Sequence, residues 1–399
     1  MIFKNGINLL NQNIDQGIYD QKSFRALVYI SVACFLYGIS AGINLTSFSM
    51  FLSGFNLQAN QISQILSLEI IGNITIAPFM ILVARAIGDE RFAIYCLIFR
   101  NMFLLIFGMG TDYIGWTVGL FGFGMFGFAL HTSIFQWINL AAKNTHRATY
   151  LSASAVLFGL GIAIGPILLS IIDIGPTPSA FFISVGISSL MLIPLSIVDL
   201  VNARSTKIKV IPVQKILNFS SVPIISAISG QYIFLSIIEF LPLYALEFDM
   251  MQSEVYMLVG YFCLSGLVLG IPIGIMIDRY DRLKALICFA FGVLIFTRII
   301  PYTINDKILV FLVFSPLCAC INGILIISLA IIGDKFKGDD FIAANITINA
   351  LSMIGGYVGI VSTGNAIDKL GADGMIYSIS SIIAVYIVLL LCELIFRKT

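Results

Sequence analysis

The chain has 399 residues, 59% of them hydrophobic and 11% charged, with a formal net charge of +1. Soluble domains run nearer half apolar and about a quarter charged, so this composition excludes a single soluble core and reads as a polytopic membrane protein. The near-zero charge implies no acidic or basic partner, nucleic acid included.

About 23 mostly polar residues come first, and with no apolar start they are not expected to form a cleaved leader. From Phe24 onward, polar clusters separate long apolar runs. A membrane helix needs about 20 predominantly apolar residues. Twelve runs qualify, near 24–53, 61–84, 92–110, 113–141, 149–172, 179–201, 219–245, 254–277, 285–303, 307–333, 341–365 and 375–396. They are read as helices because open sheet edges cannot face lipid. The alternating pattern of an outer-membrane barrel is absent. The seven cysteines all fall inside apolar runs, without zinc-ligand spacing, and read as small buried apolar residues.

Lys and Arg set the orientation. Of the 22, 18 fall on the termini and on the segments that join each even span to the next odd one, all on one side. Lys307 and Lys369 fall on the other side, and Arg100 and Arg298 lie within spans. Both termini are therefore expected in the cytoplasm, with an even number of spans.

The longest basic linker, NARSTKIKVIPVQKILN (202–218), has six spans before it and six after. The chain thus divides into bundles at 1–201 and 219–399. GIMIDRYDRLK joins spans 8 and 9, and ILVARAIGDER joins spans 2 and 3. An offset of 193 lays Arg85 on Asp278, Gly88 on Asp281 and Arg91 on Lys284. Parallel six-helix halves of this kind are a transporter architecture.

GIMIDRYDRLK resembles the loop signature G-x-x-x-D-R-x-G-R-K/R of the major facilitator superfamily, matched by Gly274, Asp278, Arg279 and Arg282. Asp281 stands where that signature has glycine, and the last basic residue is displaced to Lys284. The first-half copy keeps Gly88 and Arg91 but has Arg85 in place of the acid. The resemblance, closest to compact bacterial members, implies an all-α fold of twelve membrane helices in two pseudo-symmetric six-helix bundles. It also implies that the signature acid contacts a helix end in the other half. Arg147 at the start of span 5 is then the expected partner of Asp278. Asp339 and Asp340 at the start of span 11 are the expected partners of Arg85. Such pairs would close the cytoplasmic side, although the same charges also serve as positive-inside anchors.

Ionisable groups within spans are expensive and are functional candidates by default. Glu69 in span 2 and Glu239 in span 7 lie about 10 Å from the far face, by helical rise, and are candidates for proton coupling. His131, near the middle of span 4, is a third, since imidazole titrates near neutral pH in water. The resemblance makes spans 3 and 9 peripheral, so Arg100 and Arg298 are read as snorkelling or structurally paired. It makes spans 1, 4, 7 and 10 cavity-lining, so Tyr37, Asn44, Gln136, Gln231, Tyr232 and Asn322 become substrate-cavity candidates. Each could equally serve as interhelical glue. The glycines of spans 4 and 5 (Gly119, Gly122, Gly124, Gly127; Gly159, Gly161, Gly165) read as sites of close helix approach. GIAIGP (161–166) resembles the core of a motif found in exporting members.

The chain lacks HExxH, GxSxG and any paired acid–His motif, so no enzyme chemistry, cofactor or metal is expected. Without GxxxxGK[ST] it is not read as a primary pump. The expected function is secondary active transport of a small organic solute across a bacterial cytoplasmic membrane, by alternating access, proton-coupled and tilted towards export. The alternatives are a facilitative uniporter or importer of a sugar or metabolite, and a non-transporting sensor on the same scaffold. The expected partners are the solute, protons and the lipid bilayer, and the expected state is a monomer.

Overall fold

A computed structural model describes residues 2–141, 147–175, 177–198 and 213–396. Among them the chain is helical and shows no strand. In a bilayer each backbone amide must be satisfied within its own segment, and a helix does this without help. The first half runs α1 (Ile2–Ser53), α2 (Ala59–Ile76), α3 (Met80–Ile87), α4 (Asp89–Met109), α5 (Tyr113–Ala141), α6 (Arg147–Ile172), α7 (Pro178–Ser189) and α8 (Leu192–Ile197). After the short α9 (Val213–Leu217) come α10 (Val222–Glu247), α11 (Gln252–Arg279), α12 (Arg282–Thr303), α13 (Lys307–Lys335), α14 (Gly338–Leu370) and α15 (Gly374–Phe396). Eleven helical stretches among the described residues are long and apolar enough to cross a membrane.

Span 2 departs from an unbroken run. It comes as α2 and α3, separated at Ala77–Phe79. Pro78 carries no amide hydrogen and its ring crowds the carbonyl four residues earlier. The chain tightens there, with the Phe79 amide bonding the Ile76 carbonyl at 2.9 Å. Pro194 acts likewise in span 6: the Leu190 carbonyl accepts from Ile193 at 3.2 Å, and the span divides into α7 and α8. The cysteines divide too. Cys34, Cys96 and Cys318 are buried as expected, whereas Cys288 and Cys392 are exposed.

The halves repeat one another in detail. The helix pairs α1–α6 and α10–α14 cross through glycines. A Cβ added to Gly161 or Gly165 would collide with the carbonyls of Phe35 and Ile39. One added to Gly355 or Gly359 would collide with those of Ile228 and Tyr232, the positions 193 residues on. Asn56 (φ 56°) ends α1 and Asp249 (φ 57°) ends α10, again 193 apart, in the left-handed conformation that short polar side chains tolerate. Gly88 (φ 93°) precedes α4, and its counterpart Asp281 caps α12 by accepting the Lys284 amide at 3.0 Å. The aspartate in place of the signature glycine is therefore an N-cap.

The basic end, where the termini and basic loops lie, differs from the far end in how the halves meet. At the far end, Ser63 and Ala59 of α2 press against Gly364 of α14, and the Asn60 amide donates to Asp368 at 3.1 Å. Ala163 and Ile167 of α6 likewise press against Gly260 of α11. Halfway along, Gly159 still approaches Leu267. Beyond that, Gly270 and Gly274 have nothing within 4 Å, and Leu82 of α3 is 64% exposed. The halves thus close at the far end and diverge towards the basic end. The ion-pair closure expected of the basic end falls largely on Arg147, Asp278 and Asp339, whose side chains lie outside the described residues.

Candidate functional site

At the centre of the first half lies Arg100 on α4, with no exposed surface. It does not snorkel, contrary to one expectation for it. Its guanidinium donates to Ser40 Oγ at 3.1 Å and to Asn101 Oδ1 at 3.3 Å. It lies 5.0 Å from the Tyr37 ring centre and 4.6 Å from that of Phe123, within the range of a cation–π interaction. Ser40 in turn meets Ser184 at 2.7 Å, and Ser188 donates to Asn101 at 2.8 Å. These bonds tie α1, α4 and α7 around the cation. Arg100 packs beside Gly127, where a Cβ would meet Arg100 Cδ at 3.8 Å, an ordinary contact.

Glu69 is partly buried where α2 crosses α5. There, Gly72 and Gly124 let the backbones touch. Glu69 is close enough to Arg100 and to Glu239 for its charge to act on both. Glu239 on α10 is 3% exposed, and its Oε2 has no hydrogen-bond partner among the described residues. The two acids expected from the sequence are thus brought together, one from each half, with Arg100 behind Glu69. Arg100 was the participant that reasoning from span order discounted. Its signal was present all along, a lone cation inside an apolar run.

His131 is surrounded by rings. Tyr37, Phe135 and Phe158 lie with centres 5.9, 4.7 and 5.1 Å away, and the Tyr37 hydroxyl donates to the Gly127 carbonyl at 2.9 Å. Among the described residues the imidazole has no hydrogen-bond partner. Of the cavity candidates, Gln231 reaches Gly356 beside Ile70 of α2, so it lies where the halves meet. Asn44 is buried with both amide atoms unpaired among the described residues, and Gln136 is partly buried farther along α5. Tyr232 turns instead into its own half, bonding Ser362 and Ser378. Asn322 faces α11, filling the space beside Gly266 and approaching Cys318 Sγ at 3.5 Å.

The side chains of Arg147, Asp278 and Asp339 lie outside the described residues. Arg85, Arg91 and Arg279 are exposed. Arg282 forms a two-pronged pair with Asp334 of its own half, at 2.7 and 2.8 Å. Asp340 lies 4.0 Å from Lys215, also of its own half. Arg298 stacks over Tyr377 at 5.1 Å, a structural pairing. No cluster of metal-ligating side chains occurs among the described residues.

Two repeated helical halves that meet across one end, with a buried cation and two intramembrane acids within them, have the architecture of a membrane transporter. The chain belongs to the Major Facilitator Superfamily, whose family model matches residues 30–326. Among solved structures it is similar to the nucleoside transporter NupG. A mutant form of NupG superposes with a TM-score of 0.79 at 10% identity, covering 92% of this chain and 99% of that one. A second NupG structure gives 0.78 at 11%, covering 94% and 99%. A bacterial homologue of the human lysosomal transporter Spinster, inward-facing and unoccupied, gives 0.69 at 12%, covering 92% and 95%. These likenesses establish the fold. A comparison with curated protein sequences gives no significant match.

Proposed function

We propose that the chain is a secondary active transporter of a small organic solute, working by alternating access and coupled to protons through Glu69 and Glu239. The observation that carries this is the line Arg100–Glu69–Glu239, which runs from the core of the first half across to the second. Two like charges facing each other across a joint push its sides apart, and a proton on either removes the push. Proton occupancy would thereby bias whether the far end stays closed. The distribution of Lys and Arg supports a cytoplasmic basic end, and the membrane on this reading is a bacterial inner membrane. The bundles divide at the 202–218 linker, and the chain works as a monomer. The resemblance of GIAIGP supports export.

Nucleosides, the substrates the NupG structures are named for, are the first solutes to test. Purified protein in liposomes under an imposed pH gradient should accumulate substrate against its gradient. Glu239→Gln should retain exchange of labelled for unlabelled substrate but lose the response to the pH gradient. Wild-type flux indifferent to the pH gradient would point to a uniporter, and binding without flux to a sensor.

A further inference from the structure

We propose that Tyr37, His131, Phe135 and Phe158 form a binding subsite for a planar aromatic or heteroaromatic solute, with His131 as its hydrogen-bonding anchor. This rests on the transporter reading above and names the substrate class of that site. It also moves His131 from proton handling to recognition.

Three observations converge. The first is position. The four residues come from α1, α5 and α6; Tyr37, His131 and Phe158 sit nearer the middle of their spans, and Phe135 one turn beyond His131 towards the basic end. Phe158 adjoins Gly159, which approaches Leu267 of the other half. Towards the basic end α11 loses its neighbours at Gly270 and Gly274. The ring cluster therefore lies at the apex of the cleft between the halves.

The second is the unpaired imidazole. The groups around His131 are rings from α1, α5 and α6, and none supplies a hydrogen-bond partner among the described residues. Arg100 lies over the Tyr37 ring, 5.0 Å from its centre, and is bonded to Ser40. His131 is partly exposed, so its ring nitrogens are open to a solute that enters.

The third is ring geometry. Tyr37 and Phe158 stack with centres 5.6 Å apart and an interplanar angle of 17°. Phe135 meets Phe158 edge-on at 87°. Such an arrangement offers both a face and an edge to another flat ring, the two geometries that aromatic pairs prefer. Arg100 is engaged by Ser40 and Asn101, so the subsite selects shape and hydrogen bonding rather than net charge.

The test uses the full chain purified in detergent and follows its melting temperature with adenosine, uridine, indole, glucose and cyclohexylmethanol. At least one of the three flat-ring probes should stabilise the wild type, with glucose and cyclohexylmethanol inert. Phe158→Leu and His131→Gln should bind that probe about tenfold more weakly, and Phe158→Tyr should retain it. Should Phe158→Leu fail to fold, Phe135→Leu gives the same readout. Flat-ring probes no better than glucose, or undiminished binding in the variants, would overturn the subsite. Proton-coupled flux of a non-aromatic solute would overturn it while sparing the transporter reading. Aromatic binding without flux would spare the subsite and remove transport.

Discussion

The two halves share a frame and differ in what they bury at its centre. In the first half, Arg100 sits with Glu69 among Ser40, Asn101 and the rings of Tyr37 and Phe123. In the second, the positions 193 residues on from Arg100 and Glu69 are Val293 and Phe262, both fully buried. The polar groups there are hydroxyls. Tyr232 bonds Ser362 and Ser378, Thr363 bonds Ser236 and Ser378, and Ser226 meets Tyr386 at 2.7 Å. Such a network is neutral and mutually satisfied, so it can hold helices together in any state of the transport cycle. A buried charge cannot stay neutral to its surroundings, because moving its partner changes its energy by several kcal/mol. The contrast supports placing the energetic switch in the first half, with Glu239 the second half's one contribution to it.

The largest expected effect tests that contrast directly. Arg100→Met removes the buried cation that bonds Ser40 and Asn101 and whose charge acts on Glu69. Each hydrogen bond lost to a buried charged group costs about 1.5–3 kcal/mol. Thermal unfolding in detergent should show a large loss, and adding Glu69→Gln should recover part of it. An Arg100→Met protein that melts with the wild type would mean the first half's charges are as passive as the second half's hydroxyls.

Much of this frame is legible in the sequence, and the reason is physical. Lipid demands long apolar helices, so spans show as runs. Helix crossings demand small residues, so Gly161 and Gly165 point to a contact before it is seen. The offset of 193 found from two loops recurs at Asn56 and Asp249 and at the carbonyls the crossing glycines meet, Phe35 and Ile228, Ile39 and Tyr232. Side-chain direction is harder to read. Tyr232 and Asn322 lie on helices expected to line the cavity, yet they point into their own half, because a helix face is set by packing angles that composition does not carry. Arg100 was legible as an oddity but not as a participant. Its role depends on α2 crossing α5 at Gly72 and Gly124, a contact between segments far apart in the chain. The break at Pro78 was visible as a proline, but membrane helices keep many prolines, such as Pro166 and Pro242, within continuous spans.

An intermediate effect tests the shared frame. Gly161→Ala and Gly355→Ala each add a methyl group against a backbone carbonyl of the partner helix. Overpacking of this kind costs about 1–3 kcal/mol, and equivalence of the crossings predicts similar losses of melting temperature for the two variants. A loss at Gly161 with none at Gly355 would show that the second half tolerates adjustment where the first does not. The symmetry would then be one of topology rather than of packing.

The smallest effect concerns the hydroxyl network. Tyr232→Phe removes a phenol that meets two serines. Ser378 keeps Thr363 at 2.8 Å, and Ser362 keeps a backbone carbonyl, that of Val358. No polar group is stranded, so the cost is that of an ordinary hydrogen bond, about 0.5–1.5 kcal/mol. Melting should shift by a few degrees at most, and substrate flux and its response to a pH gradient should match the wild type. Tyr37→Phe loses a single bond, to Gly127, and should cost a similar amount, while keeping the ring that faces Arg100. If Tyr232→Phe instead abolishes flux at unchanged stability, the second half's hydroxyls belong to the transport pathway. The division of labour between a charged switch and a neutral scaffold would then have to be given up.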